Sequence, residues 1–184
     1  MIYSLSLETA LFVVGCLLLL GHLGALFFGT ALKRHLQGFP RSGPAGVILF
    51  TGAAVWFGGL VAFTDLGEFS VMRTKFLFFT VLAAVLMLRF VREFLAVRAL
   101  GMLLLLGAEP LLESAWMRPE YCRLWLVGLV YGWIVAGLFF IGTPYILRDA
   151  IAWVSGAPWR WKAASCAGIA YGALLLAVRL TLGN

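Results

Sequence analysis

An all-α, polytopic membrane protein, a compact bundle of six transmembrane helices, is the fold class this sequence predicts. Three observations carry that expectation. Of 184 residues, 63% are hydrophobic and only 12% charged, about half the ~25% charged content of soluble domains. Stretches 9–32, 42–64 and 124–147 contain no Asp, Glu, Lys or Arg, and each exceeds the ~20 residues a helix needs to cross a ~30 Å hydrocarbon core. Basic residues gather in alternate connecting segments, as insertion into a membrane requires. Disulfide-stapled secreted domains, disordered tails and ordinary soluble enzymes are excluded, because 22 charges could not solvate so much apolar surface.

The elements follow in order along one transmembrane domain, 1–184. The first span, 9–32, follows Glu8 and precedes Lys33 and Arg34, the reverse of a cleavable signal, whose charges come first. The second, 46–64, starts after the Gly38, Pro40, Gly43 and Pro44 breakers. The region 74–117 is too long for one span. The cluster Arg89, Arg92, Glu93 and Arg98 divides it into 74–92 and 97–117, and the Leu103–Leu106 run offsets part of the cost of Glu109 and Glu113. The fifth span, 124–146, ends near Pro144, whose position suggests a helix break. The sixth, 162–182, carries Arg179 near its end, where a long side chain reaches the interface.

Charge sets the expected orientation. Segments 33–45, 89–98 and 146–162 hold nine Lys/Arg against five elsewhere, which predicts N-out, C-out topology in a bacterial-type inner membrane. Trp116, Tyr121 and Trp125 read as anchors of the outer boundary, and Tyr145, Trp153, Trp159 and Trp161 as anchors of the inner one. The excess of basic residues points to the lipid bilayer as partner and not to nucleic acid, since no loop has a dense basic stripe.

Small residues mark expected packing faces. Gly15, His22 and Gly29 recur every seven residues; Thr51, Ala54, Gly58 and Ala62 form a second stripe. Gly128, Gly132 and Ala136 form a third, and Ala164, Gly168 and Gly172 lead toward Arg179. Phe76, Phe78 and Phe79 are expected to meet lipid. The order Leu26–Thr30, Arg34, Ser42-Gly43 echoes Leu138–Thr143, Arg148, Ser155-Gly156 at an offset near 113. A parallel repeat of span pairs would produce that echo, and so would the restricted alphabet of membrane segments.

Chemistry is expected where an ionisable group is sunk in the apolar layer, because it is costly there. Within the spans as drawn, His22 and Glu109 sit near mid-depth. Pro110 leaves the Leu106 carbonyl without its helical donor, so Glu109, Pro110 and His22 form the candidate proton or cation site. Glu113 lies one turn from Glu109 and is a candidate ion-pair or gate partner for Arg179. Arg89 and Glu93 are spaced for an intrahelical pair. The expected function is small-solute or ion translocation, proton-linked through Glu109. The competing structural readings are a Glu109 that locks the bundle through Tyr or Trp, and a His22 that caps a carbonyl. No carboxylate cluster or H-E-x-x-H, G-x-S-x-G, Walker or dinucleotide motif points to an enzyme. Cys16, Cys122 and Cys166 are scattered, without a C-x-x-C pair.

Two alternatives differ in class. His22-x6-Gly29, the Gly-rich second span and Lys75 resemble the four-helix membrane module shared by copper-resistance membrane proteins and a membrane-bound type of protoporphyrinogen oxidase. The resemblance covers about 80 residues and implies a haem- or quinone-associated redox protein, with haem at His22 and a functional Lys75. The aromatic residue that follows the histidine in that module is not matched here. His22 and His35 cannot clasp one metal within a helix, being 13 residues apart, so a second haem ligand would come from a dimer or another residue type. The other alternative is a structural subunit that docks further membrane subunits, or copies of itself in a homo-oligomer, through its Gly/Ala faces.

Overall fold

The computed structural model describes residues 3–182. Among them run eight α-helices: α1 (Leu7–Phe27), α2 (Gly29–Gly38), α3 (Gly43–Phe63), α4 (Arg73–Phe90), α5 (Leu95–Ala115), α6 (Arg123–Gly142), α7 (Tyr145–Ser155) and α8 (Pro158–Leu182). Short 3-10 turns cover Phe39–Arg41 and Gly67–Met72. Six helical stretches are long and apolar enough to span a membrane: α1, α3, the turn-plus-helix Gly67–Phe90, α5, α6 and α8.

Local chemistry explains the boundaries. Ser6 starts α1 by accepting the Thr9 N–H, and Ser42 starts α3 by accepting the Ala45 N–H, with Pro44 in the first turn. The charged cluster does part the long apolar region. α4 stops at Phe90, and Phe94 turns the chain with a left-handed backbone, φ 54°. Pro144 caps α7, so α6 ends at Gly142.

The first span is shorter than 9–32. Its helix stops at Phe28 (φ −109°, ψ 29°), and residues 29–38 form a separate amphipathic helix. Polarity from Thr30 onward makes continuation along an apolar path costly. The segments expected as plain loops, 33–45 and 146–162, thus carry α2 and α7. Gln37 Nε2 donates to Ser155 Oγ at 3.0 Å and joins them. The echo noted above becomes concrete here: α1–α2–α3 and α6–α7–α8 are both long helix, break, short amphipathic helix, long helix.

Both described termini lie at one end of the bundle, the terminal end; α2 and α7 lie at the other, the amphipathic end. α1 packs antiparallel on α8, α5 antiparallel on α6, and α3 lies against α5. The largest core cluster joins Leu11 and Val14 of α1 to Ala108 and Leu111 of α5, Leu126 and Val130 of α6, and Leu175 of α8. α4 is held by α3, and none of its residues is buried.

Glycines set the close approaches. Gly15, His22 and Gly29 all face α8, against Gly172 and Leu176, Gly168, and Trp161 in turn. A Cβ on Gly101 would stand 2.7 Å from the Gly137 carbonyl oxygen, and one on Gly137 2.9 Å from that of Gly101. The stripes expected on the fifth and second spans do not pack this way. Gly128 and Gly132 are exposed with open space beside them, Gly58 is also unobstructed, and α3 buries Gly46, Phe50 and Ala53 instead. The reason is the position of α5, which lies between α3 and α6 and selects their packing faces.

Most aromatic anchors stand exposed at the expected ends, with one exception. Trp161 is buried, donates its Nε1–H to the Ala25 carbonyl at 2.9 Å, and lies under the Lys33 ammonium. It fastens the α1–α2 break to α8.

Candidate carboxylate cleft between two helices

α5 presents two faces at the terminal end. Ala108, Leu111 and Ala115 are buried in the core. Glu109, Leu112, Glu113 and Trp116, spaced by three and four residues, line an open cleft of about 1020 Å3. Arg123, Leu124, Val127 and Tyr131 of α6 form its other wall. The walls are mainly apolar, and the carboxylates are the anionic groups in them.

Each charged group has a distinct setting. The Glu113 carboxylate accepts the Tyr3 backbone N–H at 3.0 Å, while Tyr3 Oη accepts Trp56 Nε1–H at 2.7 Å. The segment before α1 thereby ties α5 to α3. Arg123 Nη1 donates to the Ala115 carbonyl at 3.2 Å and also to the Arg118 carbonyl. It thus places a cation at the C-terminal end of α5, where the helix dipole favours one. Glu109 is exposed to the cleft and forms no hydrogen bond or ion pair among the described residues. α5 continues as a helix through Pro110; the ring cannot donate to the Leu106 carbonyl one turn back.

His22 is not part of this constellation. Its Nδ1–H donates to the Leu18 carbonyl at 2.7 Å; a carbonyl only accepts, so Nδ1 carries the proton. The ring lies against the α8 backbone at Gly168. His22 is five residues from the amphipathic-end terminus of α1, whereas Glu109 is 14 residues along α5 from that same end. At ~1.5 Å per residue the two lie ~13 Å apart in depth. The early stop of α1 at Phe28 is what moves His22 away from mid-depth. The two groups therefore do not exchange a proton directly.

Arg179 and Glu113 also have separate partners: the Arg179 guanidinium sits 4.7 Å from the Phe12 ring centroid. An axial haem role for His22 would require the ring to leave Gly168, and Lys75 is exposed in the first turn of α4 at the opposite end of the bundle. The cleft partners Tyr3, Arg123 and Tyr131 were not singled out for this site by sequence. The four-residue spacing from Arg123 through Val127 to Tyr131 was a readable signal, but its partner helix was not.

Comparisons with known proteins gave no matching family model, no matching curated protein and no matching solved structure.

Proposed function

We propose that this chain is a multi-pass protein of a bacterial-type inner membrane, N-terminus outside, that translocates a small cationic solute or ion. Glu109 in the α5–α6 cleft is its binding and proton site. One observation carries this reading: Glu109 lies in an apolar-walled cleft without a partner among the described residues, beside a Glu113 already held by Tyr3. A carboxyl group placed within an apolar span is costly, and the cost is lowered by a proton or by a cationic ligand. Binding of one in exchange for the other couples the solute to proton movement. Glu113 helps set the negative potential, while Arg123, tied to the end of α5, is drawn off toward carbonyls. His22 is assigned to packing, not to the proton path.

The test is a thermal-shift screen of small inorganic and organic cations on the purified chain, followed by flux into proteoliposomes holding a pH-sensitive dye. A cation that stabilises the native chain and drives proton efflux, with both effects lost in Glu109→Gln, is the expected result. Equal shifts and fluxes in the two proteins would end the proposal.

A second reading, a subunit of a larger membrane assembly, is favoured by α4, which buries no residue, and by the open Gly128–Gly132 face of α6. Stoichiometric co-purification of another membrane protein would support it.

A further inference from the structure

α4 and α5 are consecutive, antiparallel and joined by residues 91–94, yet each packs mainly on α3 and not on the other. The chain reverses between them through a left-handed backbone at Phe94. Between them lies a lateral groove of about 440 Å3 with almost no polar atom in its walls, lined by Phe50 and Ala53 of α3, Ala84 and Met87 of α4, and Met102 and Leu106 of α5.

The lining residues nearest the amphipathic end are Met87 and Met102, and Arg89, Arg92 and Arg98 belong to that same end of α4, the connection after it and α5. Arg89 is two residues beyond Met87, and Arg98 is one turn before Met102 on α5. Glu93 is the one carboxylate in the segment. The intrahelical Arg89–Glu93 pair does not form, because α4 ends at Phe90, and among the described residues none of the three arginines makes an ion pair. The Arg98 Nε–H is buried and has no hydrogen-bond partner among the described residues. A buried donor left unsatisfied is unfavourable, and guanidinium groups match phosphate oxygens in charge and geometry.

We infer that the α3–α4–α5 groove holds one anionic phospholipid, an acyl chain lying between α4 and α5 and its phosphodiester on Arg89, Arg92 and Arg98. The apolar walls exclude a soluble anion as the whole ligand, and the unpaired arginines favour a net negative headgroup over a zwitterionic one. This site is separate from the carboxylate cleft, which lies at the other end of α5 on its α6 side.

Native mass spectrometry of the delipidated, detergent-solubilised chain tests it, with dioleoyl phosphatidylglycerol, dioleoyl phosphatidylcholine and inorganic phosphate as probes. One phosphatidylglycerol should be retained roughly tenfold more tightly than phosphatidylcholine, as about one extra favourable charge contact gives. Phosphate should not displace it. Paired Arg92→Gln and Arg98→Gln substitutions should erase the preference, and Ala84→Trp should block the groove for both lipids. Leu82→Trp, which places the same side chain outside the groove lining, should change nothing. Equal retention of the two lipids, displacement by phosphate alone, or retention unaltered by both the arginine and the Ala84 variants would overturn the site.

Discussion

The His22 ring rests on Gly168 so closely that a methyl group at residue 168 would overlap Cγ, Cδ2 and Nε2 of the imidazole. One glycine on α8 therefore decides whether an aromatic ring on α1 fits in the interface. Gly168→Ala should destabilise the chain by about 1–3 kcal/mol, the range for overpacking. In a His22→Ala background the same substitution should cost about 1 kcal/mol less, a coupling typical of contacting residues. Thermal unfolding of the four proteins measures this, and strict additivity would show that the ring is not packed there.

The α5–α6 interface depends on the reciprocal approach of Gly101 and Gly137. Gly137→Val drives a side chain into the Gly101 carbonyl and the Leu105 side chain, and should lower stability by about 1–3 kcal/mol or more. Gly132→Ala, in the same helix but with open space beside it, should be neutral or stabilising by up to about 1 kcal/mol. A comparable loss in both variants would contradict this packing face.

Trp161 replaces a missing helical donor at the α1–α2 break. Trp161→Phe keeps the ring and removes the N–H bonded to Ala25, leaving a buried acceptor unsatisfied at a cost of about 1–3 kcal/mol. Hydrogen exchange should quicken over residues 25–32 and remain unchanged in α5. Unaltered exchange across that junction would show that the bond does not hold it.

The two carboxylates in the cleft should separate experimentally. Glu113→Ala removes the acceptor of the Tyr3 N–H and should cost about 1–3 kcal/mol, as charge-assisted bonds do. Glu113→Gln keeps an acceptor and should recover part of that loss. Glu109→Gln, with no partner among the described residues to lose, should leave the melting temperature unchanged while abolishing cation-dependent stabilisation. If Glu109→Gln destabilises as strongly as Glu113→Ala, Glu109 is a structural group.

Ala45, near the start of α3, and Arg118, beyond the end of α5, lie at opposite ends of the bundle. Single cysteines at these positions, with Cys16, Cys122 and Cys166 replaced, should label from opposite sides of the membrane. Arg118→Cys should react from outside and Ala45→Cys from inside. Labelling of both from one side would break the antiparallel order of α3, α4 and α5.

Much of the architecture was legible because hydropathy and charge belong to single residues and need no neighbour to be read. The division at Arg89–Arg98, the break at Pro144 and the seven-residue face of Gly15, His22 and Gly29 all follow from spacing along one helix. α2 and α7 were obscured by their polar residues, although Leu32 and Leu36 sit four apart and mark an apolar edge.

By itself, the sequence determined how many helices are long and apolar enough for a bilayer and where most of them turn, since insertion cost adds up along the chain. Only the tertiary structure decided which side of each helix is covered. Gly128 and Gly137 belong to the same helix and look alike in sequence, yet α5 covers one and leaves the other open. Glu109 is turned toward the α6 cleft and His22 toward α8 for the same reason: small residues permit close approach on any face, and the neighbouring helix selects the face that is used.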